Sequence, residues 1–342
     1  MRFSRKVAEF GQEPIWGLRW WRLGLRTLAN RYIKVARRWK DGQINATSEK
    51  TKEKIRRRML KFYSANEIDG CWCDLAEKLE NPALAGFVSL VGGRSKAFMD
   101  ALIVAPSVRI LNTALKWGVD GNPIPKSDMF YRMLPIDPTF GSLWFRYRVA
   151  VELIRGAEMV TDVACGNMLS LGLLWELFPK ELPKYMVACD LTSEPEIVAS
   201  CNNYVKFFGA QGMRLDFRQE DLFNTLRSLP ERSQDVILAT GVCSYLSEEE
   251  LQVLLDLAIS RLRPGGALMT DLQLKGWPMT QNILVLGWNA ERLVLQDCVD
   301  SAVAMMEQMT ENLGLISVNY YTNPNITNPK DLFEVLFVMR AD

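Results

Sequence analysis

The stretch from Met159 to Asp190 constrains this chain more than any other. Met159-Val160-Thr161-Asp162-Val163 is a short apolar run carrying one carboxylate, and it opens into the turn Ala164-Cys165-Gly166-Asn167-Met168. A helical pattern follows to about Phe178, and a second apolar run, Tyr185-Met186-Val187-Ala188-Cys189, closes on Asp190. Strand, turn, helix and strand in this order form a βαβ unit, the start of a parallel sheet that holds nucleotide-like ligands at its carboxyl edge. Gly166 has no Cβ and lets backbone approach a ligand closely. Asp190, ending the second strand, stands where an acidic residue accepts hydrogen bonds from ribose hydroxyls.

The pattern continues downstream. Gln219-Glu220-Asp221-Leu222 ends a third strand, and Asp235 to Gly241 is a fourth. Ser247-Glu248-Glu249-Glu250 caps a helix to Arg261, since a serine followed three residues later by a glutamate satisfies the first free N–H groups. Arg263-Pro264-Gly265-Gly266 then turns into a fifth strand, Ala267 to Leu272. Glu291 to Leu313 reads as a helix, and Leu315 to Tyr321 and Phe333 to Met339 read as two closing strands.

In this order the chain resembles the class I S-adenosylmethionine (SAM) dependent methyltransferases over residues 140–342. The most specific part is Leu262-Arg263-Pro264-Gly265-Gly266 between a helix and a strand, after the Asp235-Val236-Ile237-Leu238 strand. The resemblance implies an α/β fold: a doubly wound, seven-stranded sheet, mostly parallel, with a C-terminal antiparallel hairpin. An N-terminal all-helical domain precedes it, with residues 1–135 as a basic helical domain or lid and residues 136–342 as the cofactor-binding domain. A helix from Phe140 to Arg155 would cover the cofactor. Its Arg146, Tyr147 and Arg148 either reach the methionine carboxylate or are exposed or interface residues.

The same resemblance assigns the cofactor residues. Asp162 orients the turn and the amino-acid end of SAM, and Ala164, Cys165 and Gly166 form the turn. Asp190 binds the ribose diol, with Leu191 packed on the adenine. Asp221, with Leu222 beside it, meets the adenine amino group, and Thr240 and Gly241 end the fourth strand beneath the methyl group. The family has glycine three times in the turn; here those positions are Ala164, Gly166 and Met168. Met168 is the larger departure, a bulky side chain where backbone passes close to the cofactor. The cofactor implied is SAM, leaving S-adenosylhomocysteine (SAH), with no metal.

Thr240-Gly241-Val242-Cys243-Ser244-Tyr245 lacks both the Asn/Asp-Pro-Pro-aromatic sequence of amino-methylating DNA enzymes and the Pro-Cys pair of cytosine-C5 enzymes. It is similar to the segment of small-molecule methyltransferases, many of which carry a histidine there. This chain has no histidine at all, so methylation of an unactivated hydroxyl through a histidine base is excluded. Amines, activated ring carbons and already ionised oxygens remain as acceptors. Tyr245 could orient the acceptor, and Asp271, ending the fifth strand, could take a proton. The Trp-, Phe- and Met-rich segments leave room for a lipophilic small molecule. A protein of this fold that binds SAM or SAH without transferring methyl, and an RNA methyltransferase using a basic arm, are the alternatives.

That arm is visible in the charge. Residues 1–61 hold 18 Lys and Arg against 5 Asp and Glu, whereas the whole chain holds 41 against 40. From Pro14 to Lys40, Leu18, Trp21, Leu25, Leu28, Tyr32, Ala36 and Trp39 recur at helical spacing, with arginines largely off that stripe. Such a helix packs on its own protein or on a second copy, lies on an anionic membrane surface, or, less readily, neutralises nucleic-acid phosphates. The seven cysteines are odd in number and scattered, without a zinc-like spacing. A reduced, cytoplasmic setting is therefore expected, with the membrane surface as a peripheral site. No apolar run is long enough to cross a bilayer.

Overall fold

A computed structural model describes residues 3–5, 46–104, 112, 119–120, 122–128, 131, 138–275, 296–323, 332 and 334–342. The helical pattern expected over 14–40 and the segment 276–290 lie outside these residues. The described chain divides into two compact units, one holding the residues between 46 and 131, the other holding residues 3–5 and those from 138 onward.

The first unit is helical: α1 (Glu49–Met59), α2 (Ala65–Lys78), α3 (Pro82–Val91) and α4 (Lys96–Val104). Ser48 caps α1 by accepting from Thr51 N–H, and Ser64 with Glu67 forms a reciprocal capping box on α2. Ile55, Met59, Ile68, Leu75, Phe98 and Leu102 supply its buried apolar side chains. Lys52, buried on α1, is held by Glu49 and Glu80.

The second unit is a doubly wound α/β fold. Its strands are β1 (Phe3–Arg5), β2 (Met159–Val163), β3 (Tyr185–Cys189), β4 (Arg214–Arg218), β5 (Gln234–Ala239), β6 (Leu262–Gln273), β7 (Leu315–Tyr321) and β8 (Glu334–Ala341). The seven strands β2 to β8 lie in the order β4-β3-β2-β5-β6-β8-β7. β8 runs antiparallel to both β6 and β7, and the other pairs among these are parallel. This is the class I methyltransferase topology, with its C-terminal antiparallel hairpin. The basic tripeptide β1 adds an eighth strand, parallel to β7 with Phe3 opposite Val318.

Helices α5 (Pro138–Ile154), α6 (Leu169–Leu177), α7 (Pro195–Ala210), α8 (Leu222–Ser228), α9 (Glu248–Arg261) and α10 (Val299–Thr310) accompany the sheet. Three elements differ from the sequence expectation: of the helix expected from Glu291 to Leu313 the described part is α10 from Val299, with Gln296 paired to Leu274 in a β-bridge. The Gln219-Glu220-Asp221-Leu222 segment does not end β4: the strand stops at Arg218, and Asp221 caps the seven-residue α8. Arg263 to Gly266 is not a turn before the fifth strand but its first part. There Gly265 takes φ +78°, and a Cβ on Gly266 would meet the Gln234 and Arg263 carbonyls at 2.8 Å.

The sheet register sorts side chains onto two faces, because successive residues of a strand point to opposite sides. One face carries Val163, Ile237, Leu268, Leu272, Phe337 and Met339, packed with Leu251, Leu254 and Leu255 of α9 and Ala302 and Met306 of α10. Each fully buried side chain of this size contributes about 1.5–3 kcal/mol. The other face is not wholly apolar. Asp162 is level with Leu238, Leu238 with Met269, and Met269 with Val338. Two-residue steps then bring Asp271, Gln273 and Glu334 onto that same side, with Gln273 directly opposite Glu334.

Candidate functional site

The order of strands reverses at β2, which lies between β3 and β5. Ligands of open α/β sheets bind outside the carboxyl ends of the strands at such a reversal. The turn after β2 occupies that place, and its backbone alternates: Ala164, Gly166 and Met168 have φ of +55°, +54° and +54°. Non-glycine residues in this left-handed region carry roughly 1–2 kcal/mol of steric cost each. The turn is tied to its neighbour strand. Cys165 N–H donates to the Cys189 carbonyl at 2.9 Å, and Gly166 N–H donates to Asp190 Oδ2 at 2.8 Å.

Asp190 uses its other oxygen as well, Oδ1 accepting from Thr192 N–H at 2.8 Å. Burial lifts its carboxyl, and the two N–H donors act against that lift. The next residue, Leu191, is 70% exposed, an apolar side chain standing in solvent beside a half-buried carboxylate. Met168 does not crowd this cradle. Its side chain is fully buried at the start of α6.

Asp162 is buried in β2, and burial followed by the nearby Asp190 charge pushes its carboxyl up to about 8. Cys165 is partly exposed to solvent, and its thiol and that of Cys201 both lie near the Gly166 carbonyl, at 3.7 and 3.4 Å. Asp221 is a helix cap: its Oδ1 accepts from Phe223 and Asn224 N–H at 2.9 and 3.3 Å. Leu222 belongs to the buried apolar core. Thr240 is half-buried at the end of β5, and Tyr245, also half-buried, closes the short turn Cys243–Tyr245 by donating its N–H to Val242 O.

The polar cluster on the α5 face was not legible in the sequence. Arg146, 4% exposed, lies between two carboxylates. Its Nε donates to Glu334 Oε2 at 3.1 Å, its Nη2 pairs with the same oxygen, and Nη2 also reaches Asp271 Oδ2 at 3.4 Å. Asp271, fully buried, accepts from Gly241 N–H through Oδ1. Both of its oxygens are thus engaged by groups of the chain itself. Arg146 is likewise committed to carboxylates of its own chain. Tyr147 is buried, which lifts its phenol, and the Arg148 guanidinium lies 5.6 Å from the Trp144 ring centroid. Burial pushes the Glu334 carboxyl up to about 7, with Arg146 pulling it down.

Among the described residues no group of three or more His, Cys, Asp or Glu is placed to hold a metal ion, and no helix is long and apolar enough to cross a membrane.

No protein-family model and no curated protein matches the chain. Solved structures do resemble it. A "possible exported protein" from Bordetella parapertussis superposes with a TM-score of 0.50 at 16% identity, over 85% of this chain and 94% of that one. A SAM-dependent methyltransferase from Archaeoglobus fulgidus superposes with a TM-score of 0.43 at 15% identity, over 62% and 100% of the two chains. Magnesium protoporphyrin IX methyltransferase from Synechocystis with bound SAH gives 0.43 at 13% identity, over 74% and 98%. At these identities the likeness concerns the fold.

Proposed function

We propose that this chain is a SAM-dependent methyltransferase acting on a small molecule. The observation that carries this is the Gly166–Asp190 cradle at the strand reversal, with the exposed Leu191 at its edge. A carboxylate already fixed by two backbone donors keeps lone pairs for a ribose diol, and Leu191 offers an apolar surface to a base. Gly166 leaves the backbone open, and the burial of Met168 removes the side chain that would have blocked it. The residues present therefore fit the cofactor.

Bound there, SAM would supply an electrophilic methyl group on its sulfonium. The work left to the protein is mostly alignment. Asp162, protonated near neutrality, would donate to the amino-acid end of the cofactor. Thr240 and Gly241 would floor the methyl position, with Gly241 held by Asp271. Tyr245, two elements of backbone away from Asp271 on the turn after β5, would orient the acceptor. Asp221 and Leu222 would act by fixing the start of α8 beside the adenine. The helical residues before 136 would form a separate domain.

The test is turnover. Purified full-length protein with methyl-labelled SAM and a panel of amines, phenols and lipids is expected to release SAH in an acceptor-dependent manner. Tight SAH binding with no release for any acceptor would leave a cofactor-binding protein without transfer.

A further inference from the structure

The buried cluster on the α5 face is short of hydrogen-bond donors and of positive charge. One guanidinium, Arg146, serves two carboxylates, Asp271 and Glu334, all three under 5% exposed. Among the described residues every donor to Glu334 lands on Oε2, while Oε1 is buried with no hydrogen-bond partner. Directly opposite on β6, Gln273 is 4% exposed and its Oε1 is buried and equally without a partner. Side chains of directly opposed residues stand on the same side of a sheet, a few ångströms apart. With Glu334 ionised, two acceptor oxygens without partners and a surplus negative charge thus stand on one side of the sheet at the carboxyl edge of β6. A buried polar atom left without a partner is disfavoured, and more so when it is charged.

These groups stand next to the methyl-transfer position in the proposed function. Asp271 bridges the cluster to Gly241 N–H, and Arg146 Nη1 lies 2.7 Å from where a Gly241 Cβ would be. What the cluster lacks is a cation bearing N–H groups. We propose that Glu334 and Gln273 form an acceptor subsite for a protonated amine, with N–H groups donated to Glu334 Oε1 and Gln273 Oε1, so that the acceptor is an amine-bearing small molecule. The proposal rests on the methyltransferase reading and narrows it. An anionic or phosphate-bearing group would meet the surplus carboxylate charge at this place and be repelled.

The experiment measures binding to SAH-saturated full-length protein by calorimetry, using benzylamine, benzyl alcohol and benzoate as matched probes. Benzylamine is expected to bind about 10-fold or more tightly than either of the others, the scale of a charge-assisted hydrogen bond. Glu334→Gln should abolish that preference while SAH affinity stays within about 2-fold, since the cofactor cradle is built from other residues. Gln273→Leu removes an acceptor without changing charge and should weaken benzylamine by about 3–10-fold, which covers the case in which Glu334→Gln fails to fold. Equal binding of the three probes, or an unchanged preference in a folded Glu334→Gln or Gln273→Leu protein, would overturn the subsite while leaving the methyltransferase reading intact. A loss of SAH affinity in Glu334→Gln without loss of the amine preference would place the residue in the cofactor site and also overturn it. Failure of the wild-type protein to bind SAH would overturn the methyltransferase reading itself, and the subsite with it.

Discussion

The Arg146 guanidinium occupies the space that a side chain on Gly241 would need: Nη1 lies 2.7 Å from the position of a Cβ there. Gly241 also has φ +79°, so the position excludes other residues by conformation and by volume. Gly241→Ala is expected to destabilise the protein by about 2–4 kcal/mol, combining left-handed strain with overpacking. Urea unfolding measures this, and a loss below about 0.5 kcal/mol, the ordinary scale of a surface change, would contradict the packing described.

Removing the guanidinium tests the cluster from the other side. Arg146→Met leaves Glu334 and Asp271 buried without their cation, and breaking such a pair costs about 3–5 kcal/mol. The loss should be smaller at pH 5, where Glu334 is protonated, than at pH 8. The double variant Arg146→Met with Glu334→Leu should recover part of it, because Asp271 alone is then left buried without a cation and still accepts from Gly241 N–H. Equal losses at both pH values would contradict the charge account.

The absence of histidine makes the pH dependence unusually easy to read. Asp162 at about 8 and Glu334 at about 7 are both raised by burial, while in the unfolded chain such carboxyls ionise near 4. Between these values the folded state binds more protons than the unfolded one, so stability falls as pH rises. It is highest at the acid end of the window, near pH 5, and has lost the contribution of both groups by about pH 8. Denaturant midpoints for the ligand-free protein at pH 5.5, 6.5, 7.5 and 8 should decrease in that order. Midpoints that rise with pH would show that these carboxyls are ionised in the fold.

At the turn, the two residues that depart from the glycine pattern should respond differently. Ala164→Gly relieves left-handed strain of about 1–2 kcal/mol but adds about 0.4–1 kcal/mol of unfolded-chain entropy, so stability should change little. Met168→Gly gains the same relief but empties a fully buried site, and truncations of that size cost about 2–5 kcal/mol. Net destabilisation is expected there, with SAH affinity in the folded fraction retained. A stabilised Met168→Gly protein would mean that the side chain is not packed as described.

The sheet was readable because its signals are local. Strand runs, the Ser247 capping box and the Pro264-Gly265-Gly266 segment each show within about ten residues, and a single topology uses them all. What was missed depends on distance or brevity. The α8 helix is seven residues long, too short for a helical period to declare itself, so its cap Asp221 read as a strand end. β1 is three residues whose partner lies at the far end of the chain. Arg146 and Glu334 are 188 residues apart, and nothing near either predicts the other. Met168 is visible in the sequence as a departure from the glycine pattern, while its full burial depends on how distant parts of the chain pack around it.

The measurement closest to the central claim is a calorimetric titration of ligand-stripped, full-length protein with SAH, beside Asp190→Ala. The cradle predicts one saturable site, weakened about 10–100-fold in the variant, the scale of a charge-assisted hydrogen bond lost together with the anchoring of Gly166. A wild-type protein that binds neither SAH nor SAM, or an Asp190→Ala protein that binds SAH as tightly as wild type, would contradict the account.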